Sequence, residues 1–262
     1  MPVYDTIGKT YDKTRKADPY LASRMFHFLH NGQSNAQYLD IGSGSGNYTS
    51  ALAAKGLSMI GVEPSDEMLE KAMAKSNEVK WMKGRAEQIP LPDEAVDGVL
   101  ASLTIHHWKD LEQGFKEVHR VLKPGGRFVL FTSYPEQTDA YWLAHYFPRL
   151  TRASAIALPA QNLVESGITQ AGLQLVLKEP YFVKADLEDF FFYSGKYRPQ
   201  MYFDENVRRG ISTFSLLAHQ DEVNEGLSKL KTDIDNGHIE NIIKQYENEI
   251  GDYIFVISQK PI

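Results

Sequence analysis

Tyr38-Leu39-Asp40-Ile41-Gly42-Ser43-Gly44-Ser45-Gly46-Asn47 carries an apolar strand into a triple-glycine turn, and the turn into a helix-forming segment at 49–55. Glycine takes φ > 0 without steric cost and lets a ligand approach closer than a Cβ permits. The helix that follows presents unpaired N–H groups and the positive end of its dipole beside that ligand. A nucleotide-like molecule at the end of a parallel strand suits such a turn.

Spacing separates the candidates. A dinucleotide fingerprint reads G-x-G-x-x-G. With Gly42 and Gly44 as its first two glycines, the third falls on Asn47, so the chain departs from the NAD-dependent oxidoreductase pattern. The pattern present is D-x-G-x-G-x-G, headed by Asp40. The next strand, Leu57-Ser58-Met59-Ile60-Gly61-Val62, ends at Glu63, 21 positions after Gly42. A carboxylate there accepts both hydroxyls of a ribose, one on each oxygen.

Strands and helices alternate through the first half, which predicts a doubly wound, mostly parallel Rossmann-like α/β sheet. Strands are expected at 37–41, 57–62, 79–83, 96–102, 127–132, 173–178 and 253–258, seven in all. Helices are expected at 49–55, 66–76, 110–122 and 162–171. The third has Asp110 as N-cap, Gln113 three residues on, an apolar face of Leu111, Phe115, Val118 and Leu122, and a stop at Lys123-Pro124-Gly125-Gly126.

Two segments exceed what the sheet needs, 133–161 and 184–251. The second has apolar faces at Val207/Ile211/Phe214/Ala218, Val223/Leu227/Leu230/Ile234 and Ile239/Ile243/Tyr246/Ile250. It is expected to form a helical cap inserted before the last strand, because long insertions at a sheet end serve as lids or binding elements. The division is then a leader at 1–35, a core at 36–183 and 252–262, and the cap at 184–251.

These residues resemble the class I S-adenosylmethionine-dependent methyltransferases, and within them the type 11, ubiquinone/menaquinone methyltransferase-like branch. Asp40 to Gly46, Glu63, Gly84-Arg85-Ala86-Glu87-Gln88-Ile89-Pro90-Leu91-Pro92, Asp97 to Ser102 and Leu122-Lys123-Pro124-Gly125-Gly126-Arg127 carry the resemblance in order, over about 36–132. It implies S-adenosyl-L-methionine as cofactor and a small-molecule acceptor. Gly42, Ser43 and Gly44 would face the methionine moiety, Asp40 its ammonium, Glu63 the ribose and Met68 the adenine. Where the family often has an acid, this chain has Arg85, which cannot accept a hydrogen bond. The adenine contact then moves to the Ala86 N–H and the Glu87 carboxylate. The leader resembles segments that fold over the cofactor, with Tyr11 shielding the sulfonium and Arg15 meeting the carboxylate. The loop Ser102-Leu103-Thr104-Ile105-His106-His107-Trp108 follows strand four, where acceptor and cofactor meet in this fold. By the resemblance His106 would be a base titrating near neutral pH, and His107 would orient the loop.

The acceptor pocket is expected from the insertions. Residues 181–203 hold nine aromatics in 23 positions, and 133–161 adds Tyr141, Trp142, Tyr146 and Phe147, which favours an apolar or planar acceptor. Arg149, Arg198, Arg208 and Arg209 are candidates for a carboxylate or phosphate. A net charge of −6 with scattered Lys83, Arg85, Lys123 and Arg127 argues against a nucleic-acid surface. No apolar run nears the roughly 20 residues of a membrane span, and no signal peptide is evident at the first residues. Zero cysteines exclude disulfides, thiolate metal sites and thiol nucleophiles, in keeping with a cytoplasmic protein. Nothing in the sequence marks an oligomeric state.

Overall fold

The computed structural model describes residues 14–30, 32–33 and 35–262. Seven strands form one sheet: β1 (Gln37–Ile41), β2 (Ser58–Glu63), β3 (Lys80–Lys83), β4 (Val96–Ser102), β5 (Leu122–Thr132), β6 (Gln174–Tyr181) and β7 (Tyr253–Gln259). Their order is β3-β2-β1-β4-β5-β7-β6. The first five are parallel, and β7 runs antiparallel between β5 and β6. Leu39 pairs with Ile60 on one side and Val99 on the other, so β1 is central. Strands covered on both faces are nearly continuously apolar, and β4 and β7 are buried up to their last residue.

Order reverses between β1 and β4. A crevice opens at the carboxyl ends of strands where a doubly wound sheet reverses, because successive crossovers leave on opposite faces. The helices that flank it are α1 (Pro19–Leu29), α2 (Asn47–Ala54), α3 (Asp66–Lys75) and α4 (Leu111–Val121). Asp110 caps α4 by accepting the Gln113 N–H at 3.0 Å. Strand β5 begins at Leu122 rather than Arg127, taking in the glycine pair, with Gly126 O accepting from the Lys260 N–H at 2.9 Å.

The leader is not solely a cofactor cover. Asp18 caps α1 through the Leu21 N–H at 2.9 Å, and Leu21, Met25 and Leu29 are fully buried on the sheet. That helix belongs to the core, and only residues 14–18 among those described reach toward the crevice.

The first insertion folds as α5 (Pro135–Asp139), a 3-10 turn at Trp142–His145 and α6 (Pro148–Ala157). It is followed by α7 (Gln161–Gln170). The second holds a 3-10 turn (Pro199–Phe203), α8 (Glu205–Gly210), α9 (Ser212–Leu217), α10 (Gln220–Asp235) and α11 (Ile239–Gln245). Two expected helical faces are shorter than their periodicity. Ile211 is extended and divides α8 from α9, where Gly210 abuts Thr14 so closely that a Cβ would lie 2.0 Å from its Oγ1. The third stops at Gln245, because the Asn248 side chain bonds the Tyr246 carbonyl and the Ile250 N–H and turns the chain. The insertions pack on one another: Gly226 of α10 sits against Phe147 and the Tyr146 carbonyl with no room for a Cβ.

Candidate active site

The crevice is a cavity of about 670 Å³, within the roughly 300–1,000 Å³ of small-molecule sites. Its floor is the glycine turn. Gly42 has φ +69°, and a Cβ there would lie 2.1 Å from Thr104 Oγ1, so no other residue fits. Gly44 has φ +55°, and among the described residues no atom beyond its chain neighbours lies within 4 Å of where its Cβ would stand, so the space above it is open to the cavity. Leu103 delivers Thr104 onto the turn by taking φ +51°, an uncommon conformation for a side-chain-bearing residue.

Two carboxylates stand behind the turn. Glu63 ends β2 and accepts the Gly44 N–H and the Ser65 N–H, one on each oxygen, both at 2.9 Å. Asp40 accepts the Thr49 hydroxyl at 2.6 Å. Burial, with the Glu63 charge beside it, raises Asp40 to about 7, so a cation arriving at the turn would restore its ionised form.

Arg15, Ser43, Met68, Arg85, Glu87, Ser102 and His106 also line the cavity. Tyr11 lies outside the described residues. Ala86 is buried and does not face the cavity. The Glu87 carboxylate accepts the Lys109 N–H at 2.6 Å and that of Asp110 at 3.3 Å, so it holds the loop after β4 as well as facing the cavity.

His106 departs from expectation. Burial and the His107 ring, 3.9 Å away between centroids, push it down to about 3. It is a neutral imidazole at pH 7 and does not titrate there. Among the described residues, its buried Nδ1 has no hydrogen-bond partner. Such an atom costs free energy until a ligand bonds it. His107 has accessible surface within the concavity, and the surrounding protein lowers it to about 4.

The four cap-side arginines do not form an anion subsite. Arg149 pairs with Asp221, Arg209 with Glu205, Arg198 bonds the Leu187 carbonyl and Arg208 the Tyr202 carbonyl, and none lines the cavity. The insertion end is built instead from Phe191, Phe192, Tyr141 and Tyr253, with hydroxyls at Ser133, Thr138, Ser154 and Thr213. Tyr48, Lys109 and Asp189 line the cavity too, and no sequence motif marks them. Asp189, 1% exposed, accepts from Arg15 and from the Tyr48 hydroxyl.

A family model described as a methyltransferase domain matches residues 39–130, the stretch that builds the turn, both carboxylates and the His106 loop. The crystal structure of an Anabaena variabilis protein, designated a methyltransferase of an antibiotic biosynthesis pathway, is 34% identical. It superposes with a TM-score of 0.82 over 94% of this chain and 98% of that one. The chain belongs to the class I S-adenosylmethionine-dependent methyltransferases of type 11. Among curated relatives, the ubiquinone/menaquinone biosynthesis C-methyltransferase of Rubrivivax gelatinosus is 34% identical over 55% of this chain and 59% of its own. The demethylmenaquinone methyltransferase of Chlorobaculum tepidum is 32% identical over 47% and 55%. The chain thus spans about half the length of the curated relatives it matches. The residues present fit the family's cofactor. The turn leaves space above Gly44, the Glu63 carboxylate lines the cavity at the end of the next strand, and among the described residues the buried Ser43 Oγ on the turn has no hydrogen-bond partner. Among the described residues, no helix is long and apolar enough to cross a membrane.

Proposed function

We propose that this protein transfers the methyl group of S-adenosylmethionine to an uncharged small-molecule acceptor bound between the sheet end and the inserted helices. The observation that carries the reading is one continuous cavity. It runs from Gly42, Gly44 and Glu63 past His106 to Phe191, Phe192, Tyr141 and Tyr253. The sulfonium, when bound, supplies an activated methyl, so the protein has mainly to align the nucleophile and exclude water. Gly42 to Gly44 receive the methionine portion, Asp40 its ammonium, Glu63 the ribose hydroxyls and Met68 the adenine ring. The acceptor end offers rings and hydroxyls rather than guanidinium groups, which favours a neutral molecule with an apolar or planar body.

Magnitudes assign the role of His106. Moving a proton from a phenol, near pKa 10, to an imidazole pushed down to about 3 is uphill by several pH units, on the order of 10 kcal/mol. A resting hydroxyl therefore keeps its proton. Once the nucleophile begins to receive the methyl it becomes strongly acidic, and a weak base suffices. The His106 ring at the cavity wall orients the acceptor and takes its proton late.

Calorimetric titration with S-adenosylhomocysteine should give micromolar or tighter binding, about −8 kcal/mol at 1 μM. Turnover against a panel of neutral and carboxylate-bearing acceptors should favour the neutral ones. Binding of NADH in place of S-adenosylhomocysteine overturns the cofactor. Cofactor binding without turnover on any acceptor makes the chain a cofactor-binding sensor or partner subunit.

A further inference from the structure

Residues 14–18 and the start of the second insertion are stitched together over the cavity. The Phe190 N–H donates to the Thr14 carbonyl at 3.1 Å, and the Glu188 N–H to Asp18 Oδ2 at 3.1 Å. Thr14 also seats against Gly210. At the centre of this seam Arg15 pairs with Asp189 through Nε and Nη2, and the Tyr48 hydroxyl donates to Asp189 Oδ2 at 3.1 Å. The Arg15 side chain is 12% exposed and that of Asp189 2%. Three segments distant in sequence therefore meet at one buried carboxylate that faces the ligand cavity.

A buried ion pair is weak support for stability, since desolvation consumes much of the attraction. Its geometry suggests another purpose. Arg15, Arg85 and Lys109 are the cationic side chains among the described residues lining the cavity. The Lys109 N–H bonds Glu87, and Arg85 belongs to the same loop, bridged to Gln88. Arg15 alone of these stands at the glycine turn, with its carbonyl accepting from Asn47 Nδ2 at 3.0 Å at the start of α2. A carboxylate carried by a ligand seated on the turn meets this guanidinium. Arginine has large rotamer freedom, and a planar fork held in advance loses less of it on binding.

We propose that Asp189 is a positioning residue: it holds the Arg15 guanidinium over the glycine turn for the carboxylate of the cofactor's methionine portion, so that the inserted segment sets cofactor affinity. This rests on the cofactor reading above. Charge alone predicts the opposite sign, because removing an anion beside an incoming carboxylate should tighten binding.

The test compares S-adenosylhomocysteine with its decarboxylated analogue, S-adenosyl-3-thiopropylamine, by calorimetry. The parent, Asp189→Asn, Arg15→Lys and the double variant are each titrated. Asp189→Asn should weaken S-adenosylhomocysteine about 10- to 100-fold and the analogue less than about threefold, with the double variant no worse than the weaker single one. Tyr48→Phe removes only the hydroxyl that steadies Asp189 and should cost about two- to fivefold on S-adenosylhomocysteine alone, which keeps the test decisive if Asp189→Asn fails to fold. Unchanged or tighter binding of S-adenosylhomocysteine to Asp189→Asn, or equal losses for both ligands, overturns the proposal. A parent that binds neither ligand overturns the cofactor reading itself, and this one with it.

Discussion

At the turn end of the cavity the two carboxylates are held by backbone N–H groups and a buried hydroxyl. Two N–H groups hold Glu63 at 2.9 Å, Thr49 holds Asp40 at 2.6 Å, and Gly42 leaves no space for any Cβ. At the insertion end the polar atoms are hydroxyls set among rings. Tyr141 stacks on Tyr193 at 3.9 Å with 7° between planes, and Ser133 bonds the Tyr141 hydroxyl at 3.1 Å. One ligand of fixed shape demands the first arrangement. The second needs only a dry pocket of suitable size, which many side-chain combinations supply. The comparison predicts that substitutions at the turn end act on cofactor affinity and those at the insertion end on the acceptor.

The largest effect should come from Glu63→Ala. On the proposed placement it would remove two charge-assisted hydrogen bonds to the ribose, worth about 1.5–3 kcal/mol each, or roughly 10²- to 10⁴-fold in affinity. It also strands the Gly44 and Ser65 N–H groups, so melting should fall as well. Full affinity for S-adenosylhomocysteine in a folded variant would break the assignment of this end.

Asp40 and His106 should separate the two ends by pH. Asp40 is held at about 7 against 3.8, so its contribution to stability is fully present below 3.8 and is lost as pH rises through 7. His106 is held at about 3 against 6.5, so the unfolded chain takes up a proton that the folded one refuses, and stability is lost as pH falls from 6.5 toward 3. Asp40→Asn should gain on the parent toward neutrality and His106→Ala toward acid, each by at most about 1.4 kcal/mol per pH unit inside its window. Denaturant titrations between about pH 5 and 7 check both. Variant and parent curves that run parallel would mean that neither environment perturbs its group.

Catalysis sharpens the contrast further. His106→Ala should slow methyl transfer about 10- to 10²-fold, the loss of one orienting hydrogen bond and a late proton acceptor, while S-adenosylhomocysteine affinity holds. The parental rate should show no step near pH 6.5 from this residue. A step there that vanishes in the variant would restore His106 as a base tuned to neutral pH.

The same contrast explains what the sequence disclosed. That Gly42, Gly44, Glu63 and the His106 loop line one cavity was legible because each stands at the end of a strand or in the turn after it, at the carboxyl edge of the sheet. The central strands β1, β2, β4 and β7 were legible because burial on both faces leaves few polar residues in them, whereas the edge strands β3 and β6 are largely exposed and were legible from the α/β alternation around them. Asp189 was not, because Glu188-Asp189-Phe190 reads as an ordinary polar turn and its partner Arg15 is 174 positions away. The His106 pKa was not, because it depends on enclosure by residues remote in sequence. The split between α8 and α9 was hidden by unbroken apolar periodicity, since the contact of Gly210 with Thr14 is tertiary.

The smallest effect should appear at the arginines that sequence offered as an anion site and that the structure keeps off the cavity. Arg209 lies on α8 and pairs with Glu205 one turn earlier, both side chains more than 60% exposed. An exposed i,i+4 pair contributes about 0.3–0.5 kcal/mol, so Arg209→Ala should stay within roughly 0.5 kcal/mol of the parent in stability. Its acceptor KM should change less than about twofold, because no acceptor in the cavity reaches that guanidinium. Arg149→Ala, which loses the exposed Asp221 pair and a 3.9 Å approach to the buried Glu222 carboxylate, should likewise leave the acceptor KM within about twofold. The informative comparison is with a carboxylate-bearing acceptor. If either variant raised the KM for such a molecule tenfold and spared a neutral one, the insertion end would be reading charge after all, and the division of labour between the two ends would fail there.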